Sequence, residues 1–428
     1  MTWNGYVFAY LPNTLQAVPA GELTLLEDGL RPIGSTFGYG ARYLKRPDAV
    51  PVDPVSLPLS SLPGDLLRYE PKRSAPMFGA VRDAAPDFWG RRVIEAKLQV
   101  PPNSLPESEY LLHAGAHRFG ALDFRADRDV GENVGALPPL TELSYLLEAA
   151  DRVQLGLSVP AQLQMLFQVA TLGGARPKTL VLHKGKQFLA KFPSKGDGFD
   201  VPVVERACLE LARQCGLDVP ETDLVTLPDG RNVMLIERFD RVGLKGGAFA
   251  RKHCVSALTM LAKLEQESLA SGYAEIAHAI SVYGVDGNVQ QDRTELYTRI
   301  AFNILVSNDD DHLRNHAFVW DPHGRAWRLS PLYDVVPHPQ LAHERFLHLS
   351  LGPQGRHATL SNLLDANGAF GLLKPDAAKL IDGVARRVRE WRTSFEALGV
   401  PLAQCNLVAS AFRRPLDIGL SEVAKYLS

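Results

Sequence analysis

Three consecutive aspartates, Asp309, Asp310 and Asp311, with Asn315 five residues after the middle one and Asp334 further on, are the residues of this chain best able to do chemistry. Adjacent carboxylates repel one another and are rarely buried unless paired or bound to a cation. Just before them, Leu296, Ile300, Asn303 and Ile304 recur at helical spacing in an apolar run, which predicts a buried helix delivering the cluster to one point. Asp334 follows a stretch that reads as a hairpin, 318–320 and 327–329 joined by a turn at Asp321-Pro322-His323-Gly324. Magnesium takes oxygen ligands, usually one or two from protein and the rest from phosphates and water. An aspartate that accepts a hydroxyl proton, an asparagine that holds metal and a later aspartate that bridges metal to phosphates are the parts of a phosphoryl-transfer site. An acidic, solvated turn capping a helix would contain the same triplet.

Further residues upstream suit the same chemistry. In Gly173-Gly174-Ala175-Arg176-Pro177-Lys178, glycines let backbone N–H groups approach phosphate oxygens, and Arg176 or Lys178 adds charge. The G-K-[ST] ending of a Walker loop is absent, and a plain lead-in to a hairpin reads the same way. That hairpin is predicted as strands 179–183 and 188–192 around a Lys184-Gly185 turn. Lys191 lies inside the otherwise apolar second strand, where an unpaired buried ammonium is costly. A helix follows with Val204, Ala207, Cys208, Leu211 and Cys215 on its apolar face and Glu205 near its start. Lys191 either pairs with Glu205 and meets nucleotide phosphates, as in kinases, or snorkels to water at a strand edge. The strand 233–236 runs into Glu237-Arg238-Phe239, the position of a kinase hinge whose backbone groups bond adenine.

The elements around these residues are expected to be of two kinds. Up to about residue 70 the chain reads as strands (7–10 and 21–26), followed by a proline-rich stretch that breaks any long element. Asp87 is a candidate cap for a helix presenting Phe88, Val93, Ile94 and Leu98 to a core. Shorter helices are expected at 107–116, 143–147 and 160–170. After the Gly243–Gly247 segment, everything except the 318–329 hairpin reads as helix. At 374–398, Ala377, Ile381, Val384, Val388, Trp391, Phe395 and Leu398 form one helical seam. Arg386, Arg387, Arg389 and Arg392 lie off it, either as a solvated face or as one that meets an acidic partner or DNA backbone.

The 428 residues suffice for two or three domains, and 46% hydrophobic with 22% charged residues allows an ordinary core. A net charge of −2 argues against nucleic-acid binding through overall charge. No apolar run approaches the roughly 18 residues of a membrane helix, and no signal pattern opens the chain, so a cytoplasmic location is expected. Cys208, Cys215, Cys254 and Cys405 form no C-x-x-C pair, and Cys208 and Cys215, seven apart on the predicted helix, read as buried small apolar residues.

Taken together, Ala190-Lys191-Phe192-Pro193, the 237–241 segment, Asn308-x-Asp310-x-His312-x-x-Asn315 and Leu329-Ser330-Pro331-Leu332-Tyr333-Asp334 resemble the HipA family, the serine/threonine-kinase toxins of bacterial toxin–antitoxin systems. Leu57-Pro58-Leu59 and Pro86-Asp87-Phe88-Trp89-Gly90-Arg91 are similar to that family as well. The resemblance implies an α+β, bilobal kinase-like fold: an N-terminal β-rich subdomain (1–125), an ATP-binding lobe (126–240) and a mainly helical C-lobe (241–428). It implies that Asp310 is the catalytic base, that His312 shapes the catalytic loop, and that Asn315 and Asp334 hold Mg2+. It further implies that Lys191 and 173–178 meet the ATP phosphates, that Glu237, Arg238 and Phe239 hold adenine, and that His312, Leu313, Arg314 and Tyr333 complete the nucleotide site. Such kinases phosphorylate protein serine or threonine, with aminoacyl-tRNA synthetases among known targets, and autophosphorylate the Gly-rich loop, where Thr171 stands at the modified position. Their partner is a helix-turn-helix antitoxin, giving an indirect link to operator DNA. A small-molecule kinase and a nucleotide-binding co-repressor are the alternative expectations. The aspartates flanking Asp310 are expected to make the site unusually acidic.

Overall fold

A computed structural model of the chain describes residues 1–59, 67–129, 136–164, 166–169 and 174–427. These form two compact units. One comprises residues 1–194, 226–231 and 235–262; the other comprises 195–225, 232–234 and 263–428.

The first unit opens with a four-stranded antiparallel sheet of order β3-β2-β1-β4, made by β1 (Thr2–Tyr10), β2 (Ala17–Asp28), β3 (Arg31–Tyr39) and β4 (Leu122–Arg125). On β2 the burial alternates, Leu23 and Leu25 inward and Glu22 and Leu26 outward, as a pleat with one covered face requires. Glu27 is an inward exception, and its carboxylate accepts hydrogen bonds from Ser108 N and Oγ, both at 2.9 Å. Helices α1 (Ala41–Leu44), α2 (Gly79–Ala84), α3 (Phe88–Leu98), α4 (Glu107–His113), α5 (Leu143–Gln154) and α6 (Leu166–Val169) follow. On α3, Trp89, Val93 and Ile94 are buried, whereas Phe88, expected to face the core, is 63% exposed. Asp87 occupies the N-cap position of α3, but its side chain makes no cap bond to that helix. The predicted helix at 160–170 is a 3₁₀ turn at Ala161–Leu163 and then the single turn α6, with Leu163, Leu166 and Phe167 still buried.

Strands β5 (Lys178–His183) and β6 (Lys186–Lys191) pair antiparallel, and both turn residues between them, Lys184 and Gly185, have positive φ, the twist a two-residue hairpin favours. The second unit begins with α7 (Val201–Gln214), capped by Asp200, whose carboxylate accepts from Val203 N. In chain order β7 (Thr222–Thr226) and β8 (Asn232–Glu237) come next, and residues 235–262 belong again to the first unit. The Gly243–Gly247 segment, with β9 (Arg241–Gly243) and β10 (Phe249–Arg251), forms a hairpin, and Gly246 and Gly247 take positive φ at its turn. A further strand, β11 (Cys254–Ser256), and the short helix α8 (Ala257–Met260) follow.

The rest is dominated by α9 (Tyr273–Tyr283), α10 (Val289–Val306), the hairpin β12 (Ala317–Asp321) and β13 (Ala326–Leu329), α11 (Leu360–Asp365), α12 (Lys374–Arg389) and α13 (Trp391–Ala397). The expectation of helix throughout fails over 330–359, which is irregular and fixed by hydrogen bonds to its surroundings. The seam at 374–398 is interrupted at Glu390, and Trp391 starts a new helix with its ring stacked on Phe412 at 3.9 Å. Among the described residues no helix is long and apolar enough to cross a membrane. All four cysteines are free thiols; Cys208, Cys254 and Cys405 are buried and Cys215 is half-buried.

Candidate active site

Helix α10 carries the second unit's candidate residues. Leu296, Ile300 and Ile304 are fully buried, and Asn303 is buried among them. The helix ends at Ser307, whose φ of 52° turns the chain out of the helix. Asn303 accepts at both of its oxygens from the residue that follows: its carbonyl from Asn308 N at 3.0 Å and its Oδ1 from Asn308 Nδ2 at 3.1 Å. Its own Nδ2 donates to Asp311 at 2.8 Å.

The three adjacent aspartates have three environments. Asp311 is buried, and its Oδ2 accepts from Tyr273 Oη at 2.6 Å, Asn303 Nδ2 at 2.8 Å and His316 Nε2 at 3.0 Å. Burial by itself would raise the Asp311 carboxyl; the adjacent His316 imidazole and the hydrogen bonds from His316 and Tyr273 outweigh it, holding the group below the ordinary carboxylate value. Asp309 contacts His338 Nδ1 and Gln340 Nε2 through separate carboxylate oxygens. Asp310 is exposed. The triplet is therefore not a pooled acidic site: one carboxylate anchors the loop to the core, one anchors it to 338–340, and the middle one faces solvent.

Backbone ties shape the loop around Asp310. Its carbonyl accepts from His312 N at 2.9 Å and from Asn315 Nδ2 at 2.9 Å. With Nδ2 so engaged, Asn315 Oδ1 is the end of its amide left for another group. Leu313 N donates to Ser268 Oγ at 3.3 Å, and His348 Nε2 meets the same hydroxyl at 3.0 Å. The His312 ring packs edge-on against His348, and its buried Nδ1 has no hydrogen-bond partner in the structure. Arg314 forms an ion pair with Glu265.

Tyr333 joins the later motif to this loop, its Oη donating to Arg314 O at 2.7 Å. The motif itself is pinned by Ser330 N to Ala317 O (2.8 Å), Arg299 Nη2 to Ser330 O (2.6 Å) and Leu332 N to Asp218 O (2.7 Å). Asp334 is exposed and has φ of 59°, a left-handed backbone that a non-glycine residue adopts at an energetic cost and that clusters at functional sites. The structure thus brings Asp310, His312, Leu313, Arg314, Asn315 and Tyr333 together, with Asp334 at the end of the same pinned segment. An amide oxygen and an exposed carboxylate are hard oxygen donors, and they fit a magnesium ion.

The first unit holds the remaining candidates. Lys178 and Lys191 are direct register partners across β5 and β6, and each is only 8% exposed. Gly174, Ala175, Arg176 and Pro177 lead into β5, and Gly174 has φ of +109°. Thr171 and Gly173 lie outside the described residues. Glu205 is buried on α7 of the second unit.

At the end of β8, Glu237 pairs with Lys186 at 2.9 Å, and Arg238 N donates to Gln187 O at 2.9 Å. The Arg238 side chain is fully engaged elsewhere, donating to Asp240 at 2.9 and 2.7 Å and to the His117 and Arg118 carbonyls. Asp240 also accepts from Gly120 N at 2.8 Å and pairs with Arg241 at 2.7 Å. Any contact of Arg238 with an adenine ring therefore falls to its backbone. Phe239 packs edge-on against Phe119.

Sequence reasoning did not find the supports of the loop. Tyr273, His316, His338 and Gln340 carry no local signal. Asn303 carried one, a polar residue on an apolar helical face.

Comparison with known proteins bears on this arrangement. The model of the HipA-like C-terminal domain family matches residues 170–392. A Haemophilus influenzae protein named "Putative kinase" is 27% identical over 204 residues, 43% of this chain and 58% of its own length. In Sinorhizobium fredii, "Putative kinase Y4dM" is 29% identical over 226 residues (50% of this chain, 52% of its own), and "Putative kinase Y4mE" is 26% identical over 394 residues (84% and 89%). The chain thus spans less than two thirds of the first two of these relatives. Among solved structures, Shewanella oneidensis HipA, determined with HipB and operator DNA, superposes with a TM-score of 0.66 at 16% identity, over 99% of this chain and 97% of that one. At that identity the likeness speaks to the fold.

Proposed function

The chain belongs to the HipA-like C-terminal domain family, and from that premise we propose that it is an ATP- and Mg2+-dependent kinase that phosphorylates a serine or threonine hydroxyl of a protein. The observation that carries this reading is the division of labour in the aspartate triplet. Asp309 and Asp311 are held by other side chains, while exposed Asp310 sits on a loop braced through its own carbonyl. That is the setting a base needs to meet a substrate hydroxyl.

In this reading Asp310 orients the acceptor hydroxyl and takes its proton. Asn315 Oδ1 and Asp334 would hold magnesium, which would supply neutralisation of phosphate charge. Lys191 and the 174–178 segment meet the phosphates, and the backbone of 237–239 meets adenine. Catalysis is mostly positioning and electrostatic stabilisation. The finer proposals follow the family: a growth-inhibiting toxin of the cytoplasm, an aminoacyl-tRNA synthetase as target, self-phosphorylation at Thr171, and an N-terminal subdomain (1–125), ATP lobe (126–240) and C-lobe (241–428). A helix-turn-helix antitoxin that links the protein to operator DNA is supported by the complex in which the Shewanella HipA was determined.

The test is incubation with γ-labelled ATP and magnesium, alone and with a bacterial lysate, beside an Asp310→Asn control. Label transferred by the wild type, reduced on the order of 10²- to 10⁴-fold in the variant, supports the reading. Equal transfer by both removes Asp310 from the role of base.

A further inference from the structure

The N-terminal part of the chain has no residue in the site described so far, yet its helix α3 grips that site's phosphate-covering segment at both ends. Asp87 Oδ2 accepts a hydrogen bond from Gly174 N. Trp89 N donates to Gly174 O at 3.1 Å, and Trp89 Nε1 donates to Lys178 O at 2.8 Å. Two residues of one helix start therefore fix both ends of the stretch 174–178, about 87 positions further along the chain. We propose that Asp87 and Trp89 are positioning residues that set this segment's geometry, and with it the affinity for the phosphates of the nucleotide; the proposal rests on the reading of 174–178 as the phosphate-covering segment.

Four observations carry it. First, the Asp87 carboxylate sits where an N-cap would ordinarily accept from its own helix, and it makes no such bond. Its Oδ1 is buried without a hydrogen-bond partner, an arrangement unfavourable for stability alone.

Second, the gripped segment needs an external holder. Its Gly174 has φ of +109°, and Lys178 Nζ lies so near that a Cβ built on Gly174 would fall 1.8 Å from it. This backbone is available to glycine alone, and glycine leaves it freely unless something holds it.

Third, the holder is itself braced. Arg91 Nε donates to Pro86 O at 3.0 Å, and its Nη2 reaches both Glu107 oxygens at 2.7 Å, so the Pro86-Asp87 corner is fixed from α4. Fourth, Trp89 is 1% exposed while neighbouring Phe88 is 63% exposed, so the side of α3 turned inward is the one that bonds the segment.

The experiment uses the full chain and three variants: Asp87→Ala, Trp89→Phe, which keeps an aromatic ring and deletes only the N–H, and Phe88→Ala as control. Dissociation constants for ATP and for adenosine are measured by competition with a fluorescent ATP analogue, with a melting temperature for each variant. ATP binding is expected to weaken roughly five- to tenfold in Asp87→Ala and Trp89→Phe, the size of one lost hydrogen bond, while adenosine binding and the Phe88→Ala variant stay at the wild-type values.

ATP binding unchanged in both variants overturns the proposal and leaves the nucleotide-site reading standing. ATP and adenosine weakened in the same proportion, with lower melting temperatures, overturns it too, by reducing α3 to a folding role. A wild-type chain that binds neither ligand fails earlier, at the reading of the nucleotide site itself.

Discussion

At the scale of single residues, the aspartate triplet separates stability from chemistry. Asp311→Ala strands three buried donors, on Tyr273, Asn303 and His316, and is expected to lower unfolding free energy by about 3 kcal/mol in urea titration. Because the Asp311 carboxyl is held below its ordinary value in the folded chain, its stabilising contribution is full above the unfolded pKa of about 3.9 and fades as pH falls through the lower folded value. Asp310→Asn, at an exposed position, is expected to change stability by no more than about 0.5 kcal/mol while abolishing most turnover. Asp334 offers a third contrast. Glycine takes a φ of 59° without steric cost, so Asp334→Gly should relieve backbone strain at this position and yet remove magnesium-dependent label transfer.

At the scale of elements, legibility followed the range of the interactions. The 317–329 hairpin was readable because its pattern and its Asp-Pro-His-Gly turn are local. The β5–β6 hairpin was readable from Lys184-Gly185 for the same reason. The face of α3 was not, since Phe88 and Trp89 are both large and apolar and only the distant Lys178 carbonyl decides which turns inward. Nor was the break at Glu390, where stacking of Trp391 on Phe412 overrides a continuous heptad-like seam. Of the candidate site, type and spacing nominated the residues, but Asp311 could not be told from its neighbours, because Tyr273 lies 38 positions away.

The turn between β10 and β11 carries its own prediction. Burial pushes the His253 imidazole down to about 4, only partly opposed by its contact with the Val52 carbonyl at 3.0 Å. A histidine kept neutral in the fold binds fewer protons than the unfolded chain between its two pKa values. Stability is therefore expected to fall as pH drops from about 6.5 to about 4, by roughly 3 kcal/mol in total, and then to level off for this group. Replacing His253 with Gln should flatten that part of a stability-versus-pH curve.

At the scale of the whole molecule, ligand binding and folding are linked. A ligand that binds only the folded chain stabilises it by mass action, about 2.7 kcal/mol at a hundredfold excess over Kd. ATP with magnesium is thus expected to raise the melting temperature by about 3 °C, and the Asp334→Ala variant should lose the magnesium-dependent part of that shift. A shift unchanged in the variant would separate nucleotide binding from Asp334.

The four free thiols have a practical consequence. Burial raises the pKa of Cys208, Cys215, Cys254 and Cys405, that of Cys215 up to about 12, so at neutral pH each is protonated and a weak nucleophile. Maleimide probes should leave the folded native chain unmodified. A cysteine introduced at Leu341, which is 96% exposed, would then take a single fluorophore or spin label without prior removal of any native thiol, and so report on the 338–340 stretch that Asp309 holds.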